Sequence, residues 1–289
     1  MAERPMPELE GVRHHWVRLP TGLRVHVAEA GEGPPLLLLH GWPQHWWMWK
    51  GVIPALAESH RVICADLRGQ GWTDAPPWGY EKESLAADAV ALLDALEIER
   101  VGLMGHDWGG YTGLLLCLGH PERIERLLAL NTGHPLSDPS ARRALGLFRL
   151  WYAALLGTPF AGDRLMTSGL VGRFMRGQLV PRVWSDEDAR IYTDQFLEPA
   201  RARAAREIYR TLLTRDTPSV LRGDYRGRRV RQPLLVLHGT EDPVLPVEAV
   251  ADLPQHADDA RVEPVEGITH FIVDEVPELV AERARTFFA

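Results

Sequence analysis

"VGLMGHDWGGYTG", residues 101–113, starts as an apolar run, tightens through glycines and then turns helical in pattern. The stretch predicts a strand, a sharp turn and a helix, with Asp107 at the apex. An elbow of the form glycine–x–nucleophile–x–glycine exposes its apex residue at the end of a strand, and that residue is commonly a serine. Gly105 and Gly109 hold the two glycine positions here, and an aspartate stands between them. The fold and the chemistry both turn on why a carboxylate is placed there.

Outward from the elbow, short apolar runs alternate with longer helical patterns. "LRVHVAEA" (23–30), "PLLLLH" (35–40), "RVICAD" (61–66), "VGLMG" (101–105) and "RLLALN" (126–131) read as strands. Their near-continuous hydrophobicity suits a parallel sheet covered on both faces. Helical patterns fill 84–99 and 109–124, so the class is α/β with a doubly wound sheet. From about residue 134 to about 227 the strand rhythm stops and helical segments broken by Gly and Pro take over. Strands resume at 232–239 and 260–267, and "VPELVAERARTFF" closes the chain as an amphipathic helix. The expected organisation is a core of residues 1–133 and 228–289, interrupted by a helical cap over 134–227.

The 289 residues carry a net charge of −7, with 45% hydrophobic and 25% charged residues, an ordinary globular composition. No single-sign run invites nucleic acid or an anionic membrane, and "RARAAR" (201–206) reads as a solvated helix face. "MAERPMPELE" lacks the apolar segment of a signal peptide, and "PPLLLLH" is too short to span a bilayer. Cys64 and Cys117, both flanked by apolar residues, suit buried free thiols in a reducing compartment. No Cys/His cluster has zinc spacing. A cytoplasmic, metal-free protein without a cofactor is the expectation.

Ligands of open α/β sheets bind at the carboxyl ends of the strands. Asp107, Asp242 and His270 each follow an expected strand, in the order nucleophile, acid, histidine. "HGWP" (40–43) follows another strand, where a second oxyanion donor would come from, and "DLRGQGWTD" (66–74) is the glycine-rich loop after the next. "HGWP", "GHDWGG" (105–110), "GTEDPVLP" (239–246) and "GITHF" (267–271) together resemble the α/β-hydrolase-fold epoxide hydrolases, from about residue 10 to the C-terminus. The resemblance implies the α/β-hydrolase fold, a mostly parallel doubly wound sheet with an inserted helical cap, and an Asp-His-Asp catalytic triad.

Chemistry explains the aspartate. Serine attacking a saturated carbon would form an ether, which water does not cleave under these conditions. A carboxylate forms an ester of the enzyme's own side chain, and water can hydrolyse it at the Asp107 carbonyl carbon. With an ordinary carboxylate pKa of about 3.9, Asp107 would be ionised and need no base for its attack. His270 would be general base for the hydrolytic water, and Asp242 would orient and stabilise its imidazole. The backbone N–H groups of Trp42 and Trp108 would receive the oxyanion that forms on Asp107.

An opened epoxide leaves an alkoxide that needs a proton. The resemblance implies two cap tyrosines for that task, and Tyr152 and Tyr209 occupy helical segments near the start and end of the cap, with Tyr192 as the first substitute. Tyr80, Tyr111 and Tyr225 are weaker candidates. The implied activity is hydrolysis of an apolar alkyl or aryl epoxide to a vicinal diol, with the epoxide and water as partners and a homodimer left open. The nearest rival, a haloalkane dehalogenase, uses the same ester. Trp108 suits it, but Trp42 stands where those enzymes usually carry asparagine. A non-catalytic binding protein of this fold is the third alternative. His106 is expected to support the elbow, Asp66 and Asp74 to be structural, and Trp46, Trp47 and Trp49 to pack beneath the cap.

Overall fold

The computed structural model describes residues 4–136, 151–175 and 183–289. Its described strands form one sheet: β1 (Arg13–Arg18), β2 (Arg24–Ala30), β3 (Pro35–Leu39), β4 (Arg61–Ala65), β5 (Val101–His106), β6 (Ile124–Leu130), β7 (Leu234–Gly239) and β8 (Ala260–Val265). Their order is β1-β2-β4-β3-β5-β6-β7-β8. From β4 to β8 all neighbours run parallel, and β1 and β2 add an antiparallel edge.

The strands read as continuous apolar runs because both faces are covered. Leu37 and Leu39 of β3 pack toward α2 (Lys82–Ala95) and α3 (Trp108–Gly119), while Leu36 and Leu38 face the opposite cluster. That second cluster takes in α1 (Ile53–Ala57) and the closing helix, numbered below. Each apolar strand foreseen in the sequence is present, its ends within two residues. β1 was not foreseen, because "RHHWVR" lies at the sheet edge with partly exposed side chains and has no buried apolar run to announce it. The helix expected over 109–124 stops at Gly119, since Pro121 disfavours helical backbone in the residue before it.

Between β6 and β7 the described chain is helical, as expected: α4 (Trp151–Leu156), α5 (Ala161–Thr167), α6 (Leu170–Phe174), α7 (Asp186–Thr193), α8 (Pro199–Thr211) and α9 (Thr217–Arg222), with a wider π turn over Leu212–Asp216. The parts of the expected helical segments at 141–150 and 176–179 lie outside the described residues. After β8 come α10 (Ile272–Glu275) and α11 (Pro277–Phe288). No helix among the described residues is long and apolar enough to cross a membrane. Cys64 and Cys117 are free and buried.

The insertion is fastened to loops at the strand ends. Gln195 donates to the Pro43 carbonyl at 2.8 Å and accepts from the Gly71 N–H at 2.9 Å. Here the reading of "RARAAR" as a solvated face is corrected. Ala202, Ala204 and Ala205 are buried, Arg201 donates to the Thr73 carbonyl at 2.9 Å, and Arg206 pairs with Asp163. The small alanines allow α8 to approach the core, and a Cβ on Gly69 would lie 2.5 Å from that of Ala204.

The elbow itself is set by close approach. A Cβ on Gly109 would lie 1.9 Å from the Leu39 carbonyl oxygen, and one on Gly105 would lie 2.5 Å from the Gly109 backbone. These contacts are backbone to backbone, so no rotamer can relieve them. Gly109→Ala should therefore cost about 3 kcal/mol or more. Gly119→Ala, with nothing within 4 Å, should be neutral or stabilising by up to about 1 kcal/mol. Urea unfolding of the two variants beside the parent checks both.

Candidate active site

Asp107 closes β5 with φ 49° and ψ −114°, a conformation an L-residue adopts only under constraint. Its N–H donates to the Leu130 carbonyl at 3.1 Å, and its carbonyl accepts from the Tyr111 N–H at 3.0 Å and the Thr132 hydroxyl at 2.8 Å. The side chain is aimed at the "HGWP" loop. Gly41 is obligatory there, because a Cβ on it would stand 2.7 Å from Asp107 Oδ2. The loop is shaped by His40, whose Nδ1–H donates to the Gly41 carbonyl at 2.9 Å while Nε2 accepts from the Leu67 N–H at 2.9 Å.

The Trp42 N–H donates to Asp107 Oδ2 at 3.0 Å, and the Trp108 N–H, at the start of α3, also favours the charged Asp107 carboxylate. Burial pushes the Asp107 carboxyl up to about 6, against the pull of the His270 charge and of these two N–H groups. The sequence expectation of an ordinary carboxylate pKa is thus corrected. Asp107 is still mostly ionised at pH 7, by about ten to one.

Asp242 and His270 meet across the ends of β7 and β8, with His270 Nδ1–H donating to Asp242 Oδ2 at 2.8 Å. The other Asp242 oxygen, Oδ1, accepts from the N–H groups of Val244 at 2.7 Å and Leu245 at 2.8 Å. Asp242 therefore forms its own turn with one oxygen and holds the imidazole with the other. Burial works against its charge, but His270, Asn131 and Leu245 bring its carboxyl down to about 2. Burial also disfavours the His270 cation, yet Asp242, by charge and hydrogen bond, and Asp107, by charge, raise its pKa above the usual imidazole value.

Two supports of this geometry were treated differently in the sequence. His106, expected beside the elbow, donates from Nε2 to the His270 carbonyl at 2.8 Å, and burial drops its pKa to about 3, keeping it neutral. Asn131 was read only as the end of a strand. It donates to Asp242 Oδ2 at 2.7 Å and to the Thr269 carbonyl at 3.1 Å. A polar residue ending an apolar strand at the carboxyl edge was the signal available for it.

Tyr152 and Tyr209 come together from α4 and α8, with ring centroids 5.8 Å apart. Tyr209 also stands 5.1 Å from the Trp42 ring, edge-on, and 6.4 Å from that of Trp108. Burial pushes both phenols above their ordinary value, and the charge of Asp107 adds to this, so both stay protonated. Tyr192 is directed elsewhere: fully buried, it donates to Asp274 Oδ1 at 3.3 Å, beside Gln44, which donates to Oδ2 at 2.7 Å. Tyr80 donates to the Pro76 carbonyl and Tyr225 to Glu83. Trp46 and Trp49 are buried, and Trp47 donates to Asp188 of α7 at 2.8 Å. Asp66 is structural, accepting from the N–H groups of Trp46 and Trp72 and from His26. Asp74 accepts from the Arg24 N–H at 3.0 Å.

The sequence profile of the α/β hydrolase fold matches residues 34–277. A soluble epoxide hydrolase of Corynebacterium sp. (strain C12) is 30% identical over 96% of this chain and 98% of its own. The chain belongs to the α/β-hydrolase-fold epoxide hydrolase family. Among solved structures, an epoxide hydrolase from Vigna radiata is 28% identical, covers 97% of this chain and 99% of its own, and superposes with a TM-score of 0.83. A Salmonella enterica protein named provisionally as an acyltransferase is 29% identical over 98% of this chain and 97% of its own, with a TM-score of 0.86. Fold likeness thus spans more than one named activity, and the residues at the site have to carry the functional argument.

The raised pKa of Asp107 has a thermodynamic consequence. Between the unfolded carboxylate value of about 3.9 and the folded value of about 6, the folded state binds the extra proton, so stability falls as pH rises through this window. Asp107→Asn removes that titration. It should gain on the parent as pH climbs from 4 to 6 and hold an advantage of up to about 3 kcal/mol at pH 8. Denaturant midpoints at pH 4.5 and pH 8 test this. An equal difference at both would contradict a buried, reluctant anion.

Proposed function

We propose that this protein hydrolyses an apolar alkyl or aryl epoxide to a vicinal diol through an ester formed on Asp107, with residues 134–227 acting as a cap over the site. The observation that carries the reading is the placement of the Asp107 carboxylate: it sits at the elbow, receives the Trp42 and Trp108 N–H groups, and lies near the His270–Asp242 pair. A serine hydrolase would present a hydroxyl there for acyl transfer. A carboxylate at this position suits attack on saturated carbon.

In the first step an Asp107 oxygen bonds to an epoxide carbon as that carbon's bond to the ring oxygen breaks. The ring oxygen takes up a proton from Tyr152 or Tyr209. An alkoxide is a far stronger base than a phenolate, so a phenol held fully protonated is a competent donor. In the second step water attacks the Asp107 carbonyl carbon, His270 Nε2 takes its proton, and the oxyanion meets the Trp42 and Trp108 N–H groups. Collapse breaks the bond between the Asp107 carbonyl carbon and the ester oxygen; the two protons of the attacking water, one passed on by His270, go to that departing oxygen and to the phenolate left by the first step, so the diol leaves and the carboxylate, imidazole and phenol are restored.

The electrostatics favour this order. Asp107 is one of the charges that raise the His270 pKa, and esterification removes that charge. His270 then gives up its proton more readily, so the base form is favoured when the ester is ready for hydrolysis. The ring contacts among Trp42, Phe196, Tyr209 and Trp108 make the surroundings of the elbow aromatic, which supports an apolar substrate.

His270→Ala should still be alkylated but not turn over. Intact-mass analysis after mixing with styrene oxide should show one adduct, mapping to the peptide that contains Asp107. An unmodified variant, beside a wild type that makes diol, would overturn the assignment. A bromoalkane assayed in parallel separates the rival, for which bromide would appear and diol would not.

General acid catalysis typically contributes 10²–10⁴-fold. Tyr152→Phe with Tyr209→Phe should therefore slow the alkylation step at least about a hundredfold, each single change retaining part of the rate. Stopped-flow alkylation of a double variant with an unchanged melt is the measurement. Near-wild-type ring opening would mean that other groups donate the proton.

A further inference from the structure

The sequence contains two lysines, Lys50 and Lys82, among 32 basic Lys and Arg residues. Both join the insertion to the core: Lys50 pairs with Asp188, and Lys82 with Asp216. Lys50 is partly exposed, so its pair resembles ordinary surface ion pairs. Lys82 is different, being 0% exposed at the first residue of α2.

Every group around Lys82 belongs to the junction beside the elbow. Its Nζ lies 3.1 Å from Asp216 Oδ2 and 4.2 Å from the centre of the Trp108 ring. It donates to the Ile208 carbonyl at 3.3 Å, in the residue before Tyr209, and weakly to the Tyr80 carbonyl at 3.5 Å. Its backbone N–H donates to Asp216 Oδ1 at 3.2 Å. The Thr211 hydroxyl lies 2.8 Å from both the Tyr80 and the Glu207 carbonyls and 3.1 Å from that of Ile208. One buried cation thus touches the core, the π turn after α8, the turn of α8 that carries Tyr209, and the side chain of the residue after Asp107.

A buried ion pair is an inefficient way to gain stability, because desolvating both charges offsets most of their attraction, and an apolar pair of similar volume often does as well. What the pair supplies is directional. An ammonium with three donors can hold a carbonyl, a carboxylate and an aromatic face in one relative arrangement, which a methyl group cannot. Burial lowers the Lys82 pKa, while Asp216 and then Asp107 favour its charged form.

We infer that Lys82 is a positioning residue for epoxide opening: held between Asp216 and the Trp108 ring, it fixes the Ile208 carbonyl and thereby the register of Tyr209 relative to Asp107. The inference rests on the epoxide-hydrolase reading for what Tyr209 does, but the register itself exists without substrate. Lys82 touches neither His270 nor Asp242. The Trp108 N–H is fixed by the elbow and not by the indole ring. Loss of Lys82 therefore weakens ring opening and spares ester hydrolysis.

The test replaces the pair as a unit, Lys82→Met with Asp216→Leu, so that no charge is left buried alone. Two readouts are taken on the full chain. Without substrate, backbone amide exchange over residues 204–212 should quicken about tenfold while the melting temperature holds. In single turnovers with styrene oxide, the alkylation rate should fall at least tenfold while ester hydrolysis stays within twofold. If the apolar pair does not fold, Lys82→Gln with Asp216→Asn replaces it, with the same split expected. Unchanged exchange together with unchanged alkylation overturns the inference, as does an equal loss in both chemical steps, the mark of a purely structural pair. If the wild type opens no epoxide yet exchange at 204–212 responds, the register role stands and the epoxide reading falls.

Discussion

Asp107 must sit at φ 49° between a strand and a helix that nearly touch, and most of the site follows from that requirement. The elbow can close only if residue 109 has no side chain, since its α-carbon faces the Leu39 carbonyl. Closing it brings the end of β5 against the loop after β3, and Gly41 then has to leave room for the Asp107 side chain. With the backbone so confined and the His40 imidazole bracing the loop, the Trp42 and Trp108 N–H groups are directed toward one carboxylate. The strain is local, and the two-sided core of β3, β4, β5 and β6 sustains it.

Two carboxylates a short distance apart are driven in opposite directions. Asp242 collects donors from four residues and falls to about 2, whereas Asp107 has two N–H donors, loses most of its hydration and rises to about 6. Such a difference sorts roles. A carboxylate with a full set of partners is a poor nucleophile and a steady counter-charge. One held ionised at some expense is reactive. His270 lies between the two in electrostatic terms, stabilised as a cation by both.

The parts of this molecule that were legible in the sequence are those governed by local rules. Continuous apolar runs marked the covered strands, and the glycines at 105 and 109 marked the elbow. The strand-end positions of Asp107, Asp242 and His270 marked the candidate site, and the fold brings His270 and Asp242 together. What was not legible depends on partners distant in the chain. Asn131 looks like a strand terminus until Asp242, 111 residues on, is placed beside it. Nothing in the sequence singles out Lys82, which only the fold encloses between Asp216 and Trp108. "RARAAR" looks basic and exposed because its three alanines, not its arginines, decide where α8 lies. β1 is an edge strand whose polar pattern carries too little burial to be read alone. Tyr192, a reasonable substitute acid by sequence, is occupied with Asp274.

The shortage of lysine also sets how the protein meets alkaline conditions. Guanidinium groups hold their protons far more tightly than ammonium groups, so a surface whose positive charge is almost wholly arginine hardly changes as the medium becomes basic. Ammonium groups do change, and here both of them sit at the seam between insertion and core. Burial biases Lys82 toward losing its proton. Base would then act at the contact of Lys82 with Asp216 and the Trp108 ring, beside the Asp107 elbow.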